Sequence, residues 1–187
     1  MNVIPTSIPD VLIVEPKVFG DARGFFLESW HKERYARSGI PGDLVQDNQA
    51  YSRHGVLRGL HIQHPYSQGK LVQVVLGEVF DVAVDVRRGS PWFGQWVGVE
   101  LTSENKRQLW VPEGFAHGYY VTGKDALFSY KCSDYYHPET ELSVRWDDPD
   151  IAIEWPLAGE PALSHKDLHG LRLSDVPAER LSVYEAD

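Results

Sequence analysis

Residues Glu78 to Val86 read EVFDVAVDV. Phe80, Val82, Val84 and Val86 fall on one side of an extended chain, and Asp81, Ala83 and Asp85 on the other. That period of two marks a β-strand, because successive side chains leave opposite faces. Similar stretches lie on both sides of it. Leu71 to Leu76 comes just before and is ended by Gly77. Gln95 to Leu101 follows, with Ser103 to Lys106 as a turn, and then Arg107 to Val111, Phe115 to Val121, Ala126 to Lys131 and Leu142 to Trp146. Toward the N-terminus, Val56 to Gln63, Leu44 to Ser52, Gly24 to Trp30 and Val11 to Glu15 read as extended, the last closed by Pro16. The best helix is His31 to Arg37, stopped by Gly39 and Pro41. Turn signals recur roughly every eight to twelve residues, which points to many short antiparallel strands. The expected fold is all-β, a double-sheet jelly roll with short peripheral helices.

The length suits one domain over residues 1–187. Its jelly-roll core should span about 44–146, preceded by N-terminal strands over 8–30. Beyond Pro149 the pattern weakens. Pro156, Pro161 and Pro177 predict an irregular tail over 149–187, with a helical turn near Asp167, packed over the mouth of the barrel.

Lys and Arg number 18 against 27 Asp and Glu, a formal net charge of −9. That excess argues against nucleic acid as a partner, which selects a basic surface. The single cysteine, Cys132, cannot form an internal disulfide and reads as a small core residue. The opening MNVIPTSIPD has neither the basic nor the apolar region of a signal peptide, and no apolar run reaches membrane-spanning length. A cytoplasmic setting without a membrane partner is expected.

Chemistry concentrates in Leu57 to Lys70, LRGLHIQHPYSQGK. His61 titrates near neutral pH and can take a proton. Arg58 and Lys70 can hold negative charge. Asp167 could fix the His61 tautomer, although an aspartate in such a tail equally caps a helix. Tyr130 shares a strand face with Phe128 and reads either as core filling or as a proton donor. Tyr135 and Tyr136 could stack on a base or cover the core. Pro112 to His117, of the form P-x-G-x-x-H, resembles the turn-plus-strand element of cupin jelly rolls. Metal-binding cupins add an earlier H-x-H, but here Gln63 stands where the second histidine belongs. His61 and His117 alone leave a catalytic zinc site short of its three protein ligands. No metal is expected.

Many segments together resemble the dTDP-4-dehydrorhamnose 3,5-epimerase family, from about Ile8 to about Asp167. They include Glu15 to Asp21, Arg23 to Phe26, Val45 to Asn48, Val56 to His61, Gly69 to Val72, Gly77 to Val82, Phe93 to Val99 and Asn105 to Gly118. The resemblance implies a cupin-like jelly roll that works without metal or other cofactor, as a homodimer, on a dTDP-linked 4-keto-6-deoxy sugar. It implies His61 as general base paired with Asp167, Tyr130 as the acid on the opposite face of the sugar, and Lys70 beside the keto oxygen. It places Arg58 and His117 around the sugar and diphosphate. It gives nucleotide contacts to Arg23, Glu28, Gln46, Asp47 and Asn48, some of them across the dimer. It stacks Tyr136 on thymine and adds Glu141 and Lys166 as further binding positions. The segment from Leu168 to Asp187 departs from the family pattern.

Two kinds of rival share these residues. One is an epimerase acting only at carbon 3 or carbon 5, or a ketoisomerase, which would use the same base. The other is a non-catalytic sugar-nucleotide-binding module, which needs no base set against an acid. Solvent deuterium exchange separates the second from the first. Metal content tests a third reading, a metal-dependent cupin enzyme.

Overall fold

The structure is a computed structural model and describes residues 1–185. In chain order its strands are β1 (Asn2–Pro5), β2 (Leu12–Glu15), β3 (Val18–Asp21) and β4 (Gly24–Leu27). After helix α1 (Lys32–Ala36) come β5 (Gln46–Arg53), β6 (Leu57–Gln63), β7 (Lys70–Asp85) and β8 (Trp96–Thr102). Then follow β9 (Gln108–Val111), β10 (Phe115–Cys132), β11 (Glu141–Ser143) and helix α2 (His165–Leu168).

Two strands are longer than the sequence suggests. Leu71–Leu76 and Glu78–Val86 merge into β7, and Phe115–Val121 and Ala126–Lys131 merge into β10. Gly77 bends β7 instead of ending it. Its φ is +80°, and a Cβ there would sit 1.8 Å from the Asp125 carbonyl oxygen. The β7–β10 register shifts at the same level, between Val121 and Ala126. Such irregularities bend a strand without breaking its ladder.

The bend divides the long pair between two layers. The C-terminal half of β7 pairs with β8, and the N-terminal half of β10 pairs with β6, which carries β11. The other half of β7 pairs with β9, followed by β2 and β1, and the other half of β10 pairs with β5. Val79, Ala83, Val99 and Tyr119 from the first layer pack in one cluster with Val72, Val74, Leu109 and Phe128 from the second. The layers therefore face each other as a sandwich, the expected jelly roll.

Asp81 and Ala83 lie on this inner face. The Phe80, Val82 and Val84 side points outward and is covered by the tail, where Val82, Val84, Leu60 and Ile62 pack with Ile151, Leu173, Val176 and Leu181. This corrects the expected course of the tail: most of it covers the back of the first sheet, not the mouth. The apolar side of β7 needs that cover, since each fully buried Val or Leu contributes about 1.5–3 kcal/mol. Tyr35 of α1, with Ile40, covers Val14, Leu71 and Trp110 on the outside of the second sheet. Strands β3 and β4 form a separate hairpin that exposes Phe19, Phe25 and Phe26.

Candidate active site

A cavity of about 350 Å³ opens between the two sheets. The first sheet and its edge contribute Arg58, His61, His117 and Glu141, and the second contributes Gln46, Asn48, Lys70 and Tyr130. Tyr136 and Lys166 stand on its wall.

Strict alternation would put Arg58 and His61 on opposite faces of β6, because they are three residues apart. A bulge puts both inward. His61 pairs with His117 and Arg58 with Tyr119, so three steps on β6 oppose two on β10. Gly59 makes this possible: its φ is +122°, and a Cβ there would stand 2.6 Å from the Gly118 Cα. Bulges often re-aim side chains next to active sites.

The tail leaves the back of the sheet at one point. It pairs with Val56 at Ala162 and with Val144 at Leu171. Between these bridges α2 brings in Asp167, which is 2% exposed. Asp167 Oδ1 accepts a hydrogen bond from His61 Nε2 at 2.6 Å, and Oδ2 accepts one from Ser164 Oγ at 2.7 Å. The helix cap at this turn is Ser164, whose hydroxyl accepts from the Asp167 backbone N–H. With the ring proton directed at Asp167, the His61 lone pair lies on Nδ1.

Burial pushes the His61 pKa below its ordinary value, and the Asp167 bond only partly opposes it. The imidazole is therefore neutral at pH 7 and able to accept a proton. Burial works to raise the Asp167 carboxyl, but the bonds from His61 and Ser164 and the Lys166 charge hold it below the usual range.

Tyr130 enters from the second sheet, its ring 5.9 Å from that of Phe128. Burial raises the phenol to about 12, so it keeps its proton. Lys70 sits opposite Cys132 on β10 and makes no salt bridge among the described residues. Burial lowers its pKa. Cys132 is buried, and burial raises its thiol, as suits a core position.

At the rim, Tyr136 Oη and Lys166 Nζ both donate to Glu141 Oε2, at 2.9 and 2.8 Å. Burial acts to raise the Glu141 carboxyl, but Lys166, His61 and the Tyr136 bond together outweigh it and the pKa falls. Gln46 Oε1 accepts from the Tyr136 backbone N–H at 3.0 Å. Tyr135 and Tyr136 are both exposed, so neither covers the core. Arg58 is aimed by Nε, which donates to Ser52 Oγ at 3.0 Å.

Besides Asp167, which stands behind His61, three expected residues do not line this cavity. Asp47 points outward between Gln46 and Asn48 and binds Lys131 at 2.8 Å. Glu28 pairs with Arg34 at 2.6 Å. Arg23 pairs with Asp21 on the exposed β3–β4 hairpin. Asp81, Tyr119 and Gln68 escaped the sequence reading. Tyr119 shares the inward face of His117 two residues before it, so period two could have found it. Asp81 looked like one polar residue of a strand face, and Gln68 sits in a loop without a signal. Among the described residues no three His, Cys, Asp or Glu side chains stand together to hold a metal ion.

A jelly roll whose inner cavity sets a carboxylate-backed histidine on one sheet against a half-buried phenol on the other has the geometry of a cupin-type acid–base site. The family model described as dTDP-4-dehydrorhamnose 3,5-epimerase matches residues 5–175. A protein of that name from Shigella flexneri is 56% identical over 177 residues, 94% of this chain and 97% of its own length. One from Pseudomonas aeruginosa is 53% identical over 176 residues, with the same coverage of 94% and 97%. The chain belongs to the dTDP-4-dehydrorhamnose 3,5-epimerase family. A solved structure of dTDP-6-deoxy-D-glucose-3,5-epimerase RmlC from Legionella pneumophila Philadelphia 1, in complex with dTDP-4-keto-L-rhamnose, is 56% identical. It superposes with a TM-score of 0.97 over 99% of both chains.

Proposed function

We propose that this chain inverts carbons 3 and 5 of dTDP-4-dehydro-6-deoxy-D-glucose, giving dTDP-4-dehydro-L-rhamnose for dTDP-L-rhamnose biosynthesis. One observation carries this reading: a neutral histidine and a protonated phenol project from facing sheets into one cavity that also holds a half-buried lysine. A sugar ring between the sheets would offer one face to each group.

Both reacting carbons flank the keto group, so loss of either proton gives an enolate. His61 takes the proton through Nδ1, and Asp167 steadies the imidazolium that forms. The negative charge gathers on oxygen 4, where Lys70 would stabilise it in a site that excludes most water. Tyr130 returns a proton from the other face, which inverts the carbon. The oxidation level does not change, so the chemistry calls for no redox partner. Positioned acid–base groups contribute about 10²–10⁴-fold each.

Arg58 and His117 would hold the sugar and diphosphate. Gln46, Asn48, Tyr136, Glu141 and Lys166 would form the nucleotide end. These few local cations explain how an acidic chain accepts an acidic ligand.

We further propose a homodimer, working in the cytoplasm, in which the β3–β4 hairpin carries Arg23 to the partner's cavity. The exposed Phe19, Phe25 and Phe26 and the distance in sequence of Arg23 from the cavity strands support this. Glu28 and Asp47 would join the nucleotide site only in that assembly. A monodisperse monomer with full activity in light scattering and assay would sink this part.

The test of the reaction is product analysis by NMR in D₂O with the dTDP-linked 4-keto-6-deoxy-glucose. Deuterium at both carbons and the L-rhamno product are expected. Deuterium at one carbon only would make this a single-site epimerase, and none at either would leave a binding module.

A further inference from the structure

We propose that Asp81 is a positioning residue. It fixes His117 with Nε2–H turned inward, so that Nδ1 faces the cavity as an acceptor for a ring hydroxyl of the sugar. The proposal rests on the sugar-nucleotide reading of the cavity given above.

Asp81 lies in the middle of β7 on the inner face and is 0% exposed. Its carboxylate has one side-chain partner among the described residues. His117 Nε2 stands 2.9 Å from Oδ1 and 3.0 Å from Oδ2. An ionised carboxylate only accepts, so Nε2 must supply the hydrogen. The near-equal distances centre that N–H on the carboxylate and fix the plane of the ring. Phe128 braces the ring, with centroids 6.2 Å apart and planes 27° apart.

Packing does not require a carboxylate here. Val79 and Ala83 flank Asp81 on the same face, and both belong to the apolar core. A buried carboxylate is expensive unless it is paired, and an apolar side chain would avoid the cost. What the aspartate adds is direction. His117 lines the cavity, and its Nδ1 has no protein partner among the described residues.

The ligand chemistry follows from the sign of that nitrogen. The keto and ring oxygens of the proposed sugar can only accept hydrogen bonds. Its hydroxyls, on carbons 2 and 3, can donate. An acceptor nitrogen therefore selects a hydroxyl. His117 is the direct cross-strand partner of His61, so a hydroxyl held there sets the ring in register with the base. The two histidines thus divide the work. His61 is backed from the tail and moves protons, while His117 is backed from within the sheet and holds the sugar still.

The first test needs no substrate and no activity. In ¹⁵N-resolved NMR of histidine-labelled protein at neutral pH, His117 should show the neutral Nε2–H pattern, assigned by its disappearance in His117→Gln. An Nδ1–H pattern or a doubly protonated ring overturns the proposal. If the epimerase reading itself fails in the product assay, this spectrum still stands on its own.

The second test is Asp81→Asn. Asparagine can still turn its oxygen to Nε2–H but no longer centres that hydrogen between two acceptors, so the ¹⁵N pattern should shift from pure Nε2–H toward a mixture of the two tautomers. The kcat/KM should fall roughly 10–100-fold, by analogy with the loss of a partner that orients a metal-bound histidine. In a His117→Gln background the same substitution should change kcat/KM by less than about twofold, because its effect passes through the imidazole. An equal loss in both backgrounds, or a lower melting temperature with kcat/KM retained, makes Asp81 merely structural and overturns the proposal.

Discussion

Asp167→Asn should disable the proposed base, His61, while leaving the cavity intact. In the native chain one carboxylate oxygen accepts from His61 Nε2 at 2.6 Å and the other from Ser164 Oγ at 2.7 Å. An asparagine can satisfy the serine with its oxygen, but its nitrogen then faces His61. The imidazole must accept that N–H on Nε2 and carry its own proton on Nδ1. The lone pair that should meet the substrate is lost. Giving up a charge-assisted bond costs about 1.5–3 kcal/mol. At about 1.4 kcal/mol per decade, that is roughly 10–10²-fold in rate. The wrong tautomer adds to this, and the same change behind a protease histidine costs about 10⁴-fold. The expected fall in kcat is therefore roughly 10²–10⁴-fold. KM should barely move, because Asp167 lies behind His61 and not on the cavity wall. Deuterium wash-in at both carbons should slow by the same factor as product formation. Ser164→Ala provides a graded control. It removes one neutral donor, worth about 1 kcal/mol, and should cost only about fivefold. An Asp167→Asn enzyme within fivefold of wild type, with deuterium exchange intact, would refute the assignment of His61 and Asp167 as the working pair.

Three further outcomes follow from the same geometry. Tyr130→Phe should keep much of the deuterium exchange, since the base is untouched, while inversion falls about 10²-fold or more; normal product at the normal rate would remove Tyr130 as the acid. In the pH profile of kcat/KM, the acid limb should lie below 6.5 because burial lowers His61, and the alkaline limb should come from Lys70, also lowered by burial, before Tyr130 titrates at about 12. Tyr130→Phe should then leave the alkaline limb in place, and a limb that vanishes in that variant would contradict the order. Gly77→Ala should destabilise the fold by about 3 kcal/mol or more, because it adds a Cβ 1.8 Å from a backbone oxygen at a left-handed φ; urea unfolding within 1 kcal/mol of wild type would show that the β7 bend does not need glycine.

Acid should also weaken the fold in two stages, and the signs can be worked out group by group. The folded pKa of His61 lies below its unfolded value of about 6.5. As pH falls below about 6.5 the unfolded chain takes up that proton first, so stability drops until the folded pKa is reached. The Asp167 pKa is also lowered in the fold. Its contribution is present above the unfolded value of about 3.9 and is lost as pH falls through the folded one.

The strands could be read from the sequence because period two needs only neighbours a few residues apart. EVFDVAVDV gave its two faces correctly. Which of those faces is the interior was not legible. The usual rule puts the apolar side inside, whereas here Phe80, Val82 and Val84 face outward under the tail and Asp81 faces inward, buried behind His117. Only the residues that cover a face decide this, and Leu173, Val176 and Leu181 lie far along the chain. The merging of the strand pairs was hidden for a similar reason, since a glycine that ends a strand and one that bends it look alike. For the site, residue type and family resemblance together supplied His61, Lys70, Tyr130 and Asp167, and the cavity brings the first three together with Asp167 behind. Asp81 was missed because one aspartate on a strand carries no local mark of a distant histidine.

The bend at Gly77 and the bulge at Gly59 explain why a jelly roll suits this chemistry. Epimerisation needs a base and an acid on opposite sides of one flat intermediate. A single sheet offers only one side. Here β10 runs through both sheets, carrying His117 in one half and Tyr130 in the other. The same strand therefore holds the registers of both faces of the site. His61 is fixed to it by direct pairing with His117. Lys70, at the start of β7, is fixed to its far end by pairing with Cys132. The separation of His61, Tyr130 and Lys70 is set by the backbone hydrogen bonds of the paired strands. The bulge then corrects what regular pairing cannot give, since a ladder without it would turn either Arg58 or His61 out of the cavity. A one-residue deletion at Gly59 would remove the bulge and set Arg58 and His61 two positions apart, so that regular alternation alone would keep both on the inner face.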